Sequence, residues 1–404
     1  MLSKLLVNFI ITFENLFLRF ISSILFYKRW GKERRKRILI FTSGTIGHFV
    51  QRIPAIKKIR EIYPDARILM LCTDSSIKKV SIRYADEPEW LSFVDNLVDE
   101  RLFIKGYKLL TKDSLKLARK KIKEFDPDMA FILDDSGAGF INKLKKMIYL
   151  WLIGLRCKVY GIKIAFDFNI KFLRNIYFRL GMIKNMMWGS LNAVYELKGI
   201  DRNFPGYSIN IDMDKVRDEI KNINDENMVI IFCGGPIVKR WDAEKYSELI
   251  KRLKMQYNFL NFYLVGGKTE DDLVSSSAVY NLSSSLTRQN FCGQLNLIET
   301  SFIIKKAKLF IGNDGGLAHI SSALGVKTIV IENAQNYPGH WWDNSPNTII
   351  VRKKVDCEYC NAYPFCPTNT YKCIKDITVD EVEKAVKEFI TPSNKNVESI
   401  EGNR

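Results

Sequence analysis

The chain reads as an α/β protein built from two doubly wound parallel-sheet domains behind an amphipathic helix. Short apolar strands alternate with helices of 3.6-residue period from residue 38 onward. Glycine turns follow several of those strands, at the sheet edge where such folds bind ligands. A polar stretch at 201–226, with Pro205-Gly206 near its start, breaks the alternation into two halves.

With 404 residues and 47% apolar content, there is length for two ordinary domains, each with its own core. The formal net charge of +17 calls for an anionic partner, whether nucleotide, membrane surface or nucleic acid. Seven of the ten residues 28–37 are Lys or Arg, so the excess is concentrated near the N-terminus. Neither aromatic interleaving nor a helix-turn-helix accompanies that run, and nucleic acid is not expected. Eight cysteines are too sparse for a disulfide scaffold. Cys72, Cys157, Cys233 and Cys292 lie in or beside apolar segments and read as buried small residues.

Residues 1–37 form the leading segment. The first thirty are strongly apolar, yet Lys4, Asn8, Thr12, Asn15, Arg19 and Ser22 recur every three or four positions, one polar stripe on a helix. The longest uncharged run, 5–13, falls far short of the ~18 residues needed to span a bilayer, and no small-residue cleavage site follows. The pattern predicts a helix in the membrane interface, with the cations of 28–37 on anionic headgroups. A helix packed on the protein's own surface, or one tilted span, are the alternatives.

Residues 38–205 make the first domain. A strand at 38–42 runs into Ser43-Gly44-Thr45-Ile46-Gly47-His48, a helix at 49–63 closes at Pro64-Asp65, and 68–72 is the next strand. Gly44, Thr45 and Gly47 thus sit at the carboxyl end of the first strand, with His48 beside a ligand-binding edge. Further strands are expected at 93–98 and 129–134 and helices at 112–124 and 140–155. Asp134 and Asp135 end a strand, as a catalytic base or as helix-capping and turn residues. The segment 166–197 is aromatic and basic, near the cleft mouth, on a membrane-facing surface or simply packed.

After a linker at 206–226, residues 227–377 make the second domain. Strands at 227–233 and 259–265 are each followed by a glycine pair, Gly234-Gly235 and Gly266-Gly267, and Lys239 lies just beyond the first. The clearest unit is the strand 309–311, the turn Gly312-Asn313-Asp314-Gly315-Gly316, the helix 317–324 and the strand 327–331. Glycines at a strand-to-helix junction bring backbone N–H groups and a positive helix end to an anion, most simply a phosphate. Asp314 can accept from a ribose hydroxyl and His319, one turn on, can donate to phosphate oxygens; a glycine turn with a core histidine is the plainer reading. Three such turns on one edge outline a nucleotide pocket, with Lys239 as a point charge for a diphosphate. Cys357, Cys360, Cys366 and Cys373 fall within 17 residues and suggest a structural four-thiolate zinc, with free thiols or a disulfide as alternatives. An amphipathic helix at 378–391 and a polar, disordered tail at 392–404 complete the chain.

These residues resemble glycosyltransferase family 9, the heptosyltransferase-type enzymes of lipopolysaccharide assembly, over about residues 38–390. The likeness rests on Gly44-Thr45-Ile46-Gly47, Pro54-Ala55, Tyr63-Pro64-Asp65-Ala66, Lys239-Arg240-Trp241 and Gly312-Asn313-Asp314-Gly315-Gly316-Leu317-Ala318-His319. The last is similar to the family's donor-binding Asp-Thr/Ser-Gly-x-x-His signature. The resemblance implies a GT-B fold with two facing Rossmann-like domains, the acceptor held by the first and a nucleotide-sugar, ADP-heptose favoured, by the second. It also implies inverting transfer that needs no metal or other cofactor, and a C-terminal helix packing back across the domains. Two positions depart from the family pattern: Gly315 replaces the signature's hydroxyl residue, and His48 stands where an aspartate serves as proposed base.

The expected function is transfer of a heptose or related sugar to a lipid-linked saccharide, such as lipopolysaccharide core, on the cytoplasmic face of the inner membrane by a peripheral or monotopic protein. His48 takes the acceptor proton, and Lys239, His319 and the N–H groups of Gly315 and Gly316 neutralise the leaving group. A catalytically silent nucleotide-sugar-binding or scaffolding subunit, and a nucleotide-sugar epimerase of similar fold, are the rival readings.

Overall fold

The computed structural model describes residues 2–26, 36–73, 88–105, 110–133, 140–163, 186–342, 345–360 and 365–390. The chain divides into two compact units: Met1–Ile211 with Gly339–Asp343, and Asp212–Pro338 with Asn344–Arg404. Each is organised on a wholly parallel sheet.

In the N-terminal unit the strands are β1 (Arg37–Ser43), β2 (Arg67–Thr73), β3 (Glu100–Ile104), β4 (Met129–Leu133) and β5 (Lys158–Tyr160), in the order β3-β2-β1-β4-β5. Ile40 of β1 pairs with Met70 on one side and Phe131 on the other, so the middle strand is apolar on both faces. The helix Ile53–Ile62 takes Pro54 in its first turn and buries Ile53, Ile56 and Ile59. The helix Lys112–Phe125 buries Ala118, Ile122 and Phe125 in the same core as Leu39, Phe41 and Leu69.

In the C-terminal unit β6 (Met228–Phe232), β7 (Asn261–Leu264), β8 (Thr287–Asn290), β9 (Leu309–Asn313), β10 (Thr328–Glu332) and β11 (Thr348–Arg352) lie in the order β11-β10-β9-β6-β7-β8. Both sheets therefore reverse their winding once, between β1 and β4 in the first and between β6 and β9 in the second. The loops leaving those strands open the crevice in which doubly wound sheets bind ligands.

One expected strand is displaced. Residues Glu89–Val94 form a 3-10 helix with Trp90, Leu91, Phe93 and Val94 buried, and the strand is the next segment, Glu100–Ile104. The apolar run is wholly buried as a helical turn, whereas β3 is an edge strand and tolerates Glu100 and Arg101, which pair with Lys121 and Asp95. The segment 166–197 is described only from Met186, where a helix runs to Val194.

The leading helix, Leu2–Leu25, packs on its own unit. Leu18 and Phe26 are buried in the N-terminal core with Leu150 and Ile153, and Phe17 meets Phe140 with ring centroids 5.7 Å apart. Asn15 and Ser22 of the polar stripe are half-buried beside this packed face, and Thr12 and Arg19 are exposed. The opposite arc is apolar and open: Phe9, Phe13, Leu16, Phe20 and Ile24 are exposed, Phe9 by 70% and Phe20 by 62%. No described helix is long and apolar enough to cross a membrane.

The helix Val379–Ile390 buries Val382, Ala385 and Val386 among Trp241, Leu249, Ile331 and Val351, so its apolar stripe completes the core of the C-terminal unit. Lys327 Nζ also donates to the carbonyl of Phe389 at 2.7 Å. The tail 392–404 lies outside the described residues.

Candidate functional site

The turn after β9 is shaped by close approach to β6. A Cβ on Gly312 would stand 2.8 Å from the carbonyl oxygen of Phe232, and one on Gly315 would stand 3.0 Å from the Phe232 ring. Asn313, 1% exposed, fastens the two loops: its Oδ1 accepts from Tyr246 OH at 2.9 Å and from the Trp241 N–H at 3.2 Å, and its Nδ2 donates to Gly234 O at 2.8 Å. Gly315 is the extended N-cap of the helix Gly316–Ala323 and offers no side-chain cap. The first N–H groups of that helix therefore have no intrahelical partner and carry its positive end.

Charged groups gather here. Lys239 leaves a short 3-10 helix, Ile237–Lys239, and its Nζ lies 2.5 Å from Asp314 Oδ2. The Asp314 side chain is 3% exposed, so this is a buried pair. His319, also buried, points its Nε2 to 3.9 Å from Asp314 Oδ1. At the end of β10, Glu332 accepts from Arg352 Nη1 at 3.1 Å. Burial, reinforced by the Asp314 charge, pushes the Glu332 carboxyl up to about 7 against the pull of Arg352 and Lys239. The Lys239 turn is tied to β10 as well, because Asn333 Nδ2 donates to Val238 O at 2.6 Å.

The three predicted glycine turns do lie on the carboxyl edge of one sheet, after β6, β7 and β9. Two of them, however, are closed on a carboxylate of the chain itself. Asp272 Oδ1 accepts from Gly235 N–H at 2.7 Å and its Oδ2 from Gly267 N–H at 3.0 Å. A Cβ on Gly234 would stand 2.1 Å from Asp272 Oδ1, and one on Gly267 2.9 Å from Oδ2. Gly234 and Gly267 are glycine to admit Asp272, and the N–H groups of Gly235 and Gly267 are committed to it. Gly266 faces Cys292, whose sulfur would be 2.6 Å from an added Cβ.

In the N-terminal unit, Gly44, Thr45, Gly47 and His48 come together after β1. Gly44 has φ +139 and nearly touches His48, since an added Cβ would stand 2.8 Å from the His48 Cβ. Thr45 precedes the five-residue helix Ile46–Val50, and its Oγ1 lies 3.0 Å from His48 Nδ1. Trp341 meets the imidazole edge-on at 4.9 Å, and its carbonyl accepts from Gln51 Nε2 at 2.8 Å. Buried Arg52 donates from Nη1 to Thr42 Oγ1 at 2.9 Å and to the Ser43 carbonyl. Asp134 and Asp135 lie outside the described residues.

Asp272, Arg52 and Arg352 escaped the sequence reading, and Asn313 was read only as a residue of the turn. Asp272 follows Thr269, which caps the helix Glu270–Leu282, so in sequence it is one more acid in a first turn. Nothing in spacing separates it from Asp271. Arg52 belongs to a helical pattern whose isoleucines dominate the signal.

The cysteine cluster stands against the loop after β10. Tyr359 donates its N–H to Ala334 O at 2.7 Å, its ring stacks on Tyr337 at 4.5 Å, and the Arg352 guanidinium lies over it at 5.9 Å. Burial, with Cys357, Cys360 and Cys366 nearby, raises the Cys373 thiol. Around Cys366, burial is outweighed by hydrogen bonds from Thr368 and from the N–H groups of residues 368, 370 and 371, which bring its thiol down to about 7. Among the described residues, no three His, Cys, Asp or Glu side chains stand in metal-binding geometry.

Residues 180–365 match the family model for glycosyltransferase family 9 (heptosyltransferase). A lipooligosaccharide heptosyltransferase 2 of Campylobacter jejuni is 28% identical over 158 residues, 38% of this chain and 48% of that protein. The chain thus spans about half the length of these curated relatives. Among solved structures, a family 9 glycosyl transferase from Veillonella parvula aligns with a TM-score of 0.60 at 16% identity, covering 88% of this chain and 97% of that one. The ADP-heptose lipopolysaccharide heptosyltransferase II of E. coli aligns with a TM-score of 0.55 at 15% identity, covering 87% and 98%. At such identities the likeness concerns the fold.

Proposed function

We propose, from the premise that this chain is similar to the heptosyltransferase-type members of glycosyltransferase family 9, that it is an inverting glycosyltransferase moving a heptose or related sugar from a nucleotide-sugar to a lipid-linked saccharide. The observation that carries this reading is the buried Asp314–Lys239 pair with His319, set against the uncapped helix at the β6/β9 switch point. A diphosphate there meets the N–H groups opening the helix Gly316–Ala323 and the Lys239 ammonium. ADP-heptose is the favoured donor, as in the name of the E. coli relative. The N-terminal unit holds the acceptor on the Gly44-to-His48 turn. In the tautomer that donates Nδ1–H to Thr45 Oγ1, the basic lone pair of His48 is on Nε2, which then takes the acceptor proton. The acceptor oxygen then bonds to the anomeric carbon as that carbon's bond to the diphosphate breaks, and Lys239 and the helix N–H groups take up the charge released.

The exposed arc Phe9-Phe13-Leu16-Phe20-Ile24 supports a peripheral place on an anionic bilayer, the cytoplasmic leaflet of an inner membrane, where a lipid-linked acceptor resides. Ile148 and Trp151 are also exposed on the helix Phe140–Leu152, which packs against the leading helix. Phe13→Glu with Phe20→Glu is expected to abolish co-flotation with anionic vesicles and leave nucleotide binding intact. For Cys357, Cys360, Cys366 and Cys373, which gather beside one loop without standing in metal-binding geometry, the sequence spacing alone supports a structural zinc, to be sought as one metal per chain by elemental analysis.

The deciding experiment offers a panel of nucleotide-sugars and a lipid extract to the purified protein and to His48→Ala. Consumption of one donor, reduced about 100-fold or more in the variant at unchanged nucleotide affinity, is the expected result. Nucleotide binding without turnover of any donor replaces this reading with that of a silent binding subunit, for which His48 in the place of the family's aspartate is the supporting observation.

A further inference from the structure

Glu332 has no part in the reaction as described, yet it is among the most confined carboxyls of the C-terminal unit. It ends β10 at 2% exposure. One carboxyl oxygen is held by Arg352, whose Nη1 also reaches Asn333 O at 3.1 Å and whose Nη2 reaches Asn336 O at 2.6 Å. The other oxygen, Oε1, is buried and has no hydrogen-bond partner. A buried acceptor without a donor is costly. Three charged groups act on it: Arg352 from β11, Asp314 from the turn after β9, and Lys239 from the turn after β6. His319 faces Asp314 from the helix behind.

Each of the two carboxylates has a cation in this arrangement. Lys239 serves Asp314 and Arg352 serves Glu332, so two carboxylates and two ammonium or guanidinium groups balance. A diphosphate arriving at the helix Gly316–Ala323 brings two or more negative charges and competes for Lys239. Asp314 then loses its cation beside a second buried carboxylate, which is the arrangement least tolerated at low dielectric.

We propose that Glu332 is a positioning residue of the donor site that takes up a proton from solvent when a nucleoside diphosphate draws Lys239 away from Asp314. The proton goes to Oε1, the oxygen without a partner, forming an O–H bond and turning an orphaned acceptor into a donor. Lys239 is freed for the diphosphate without leaving two ionised carboxylates side by side, and the proton returns to solvent when the diphosphate departs and Lys239 re-pairs. This deepens the donor-site reading and rests on it.

The test is titration calorimetry of ADP into the full chain at pH 7 in buffers of different ionisation heat, with inorganic pyrophosphate as a probe that lacks the base. A group titrating at about 7 is half protonated there, so the wild type is expected to absorb about half a proton more per ADP than Glu332→Gln. Above pH 7, wild-type affinity falls as that proton becomes harder to supply, by up to about tenfold per pH unit, while the Glu332→Gln profile is flatter. The unaltered protein gives a second readout, gain of a protonated-carboxyl band in the infrared difference between ADP-bound and free forms. Binding with equal proton uptake in the two proteins, or without that band, overturns the inference and leaves the donor site standing. Failure of both ADP and pyrophosphate to bind overturns the donor reading and this inference together.

Discussion

The two strand-to-helix turns after β1 and β9 occupy comparable places in their sheets, and they are held by opposite charges. After β1 a buried cation, Arg52, donates to Thr42 and to the Ser43 carbonyl, so the turn is fastened through its oxygen atoms. Around β9 buried carboxylates do the fastening: Asp314 holds Lys239, and Asp272 holds the N–H groups of Gly235 and Gly267. In the first turn a guanidinium meets a hydroxyl and a carbonyl; in the second an ammonium meets a carboxylate. Glycine content alone does not distinguish them. What differs is which atoms the protein has already spoken for, and on the proposed reading that leaves the helix Gly316–Ala323 and Lys239 for an anion.

The difference is sharpened first by Lys239→Met. Removing the cation from a carboxylate that is 3% exposed is expected to cost about 3 kcal/mol of stability, read by chemical denaturation, and to weaken ADP binding more than tenfold. A variant that binds ADP as before denies Lys239 its place at the diphosphate. Asp272→Asn comes next, because an amide supplies one acceptor where the carboxylate serves two N–H groups. About 2 kcal/mol is expected, with ADP affinity changed less than in Lys239→Met. Equal losses of affinity in the two variants make the Gly235 and Gly267 turns part of the binding surface after all. Arg52→Met comes last: it takes the donor from the Thr42 hydroxyl and the Ser43 carbonyl, about 1 kcal/mol. It should leave ADP affinity untouched, and a penalty as large as that of Lys239→Met erases the contrast between the turns.

Glu332 ties the comparison to pH. Its carboxyl is raised from 4.5 to about 7, so between those values the folded chain keeps a proton that the unfolded chain has released. Stability on this account falls as pH rises through the window. Glu332→Gln removes the dependence, and a denaturation series from pH 5 to pH 8 should show wild type and variant diverging upward in favour of the variant.

Legibility in the sequence followed position in the sheet. The interior strands β1, β2, β4, β6, β7, β9 and β10 announce themselves as apolar runs, because both faces are covered. The four edge strands, β3, β5, β8 and β11, went unread or were displaced. Glu100-Arg101 in β3 and Arg288-Gln289-Asn290 in β8 carry the polarity that an edge permits, and that polarity hides the strand. At the site, Asp314, Lys239 and His319 were named from one motif and its neighbour, and the fold places them together. Asp272 was not assigned a role because its partner Gly235 lies far along the chain. Pairings of that kind depend on strand order, which no local pattern contains.

If the open arc of the leading helix seats the protein in headgroups, as proposed, it has a kinetic meaning. A catalyst seated in headgroups and a substrate anchored in the same leaflet meet by lateral diffusion, so their encounter depends on molecules per unit area rather than per unit volume. Spreading a fixed amount of lipid-linked acceptor over more inert bilayer should then slow turnover although every bulk concentration is unchanged, and the double glutamate variant should be indifferent to such dilution.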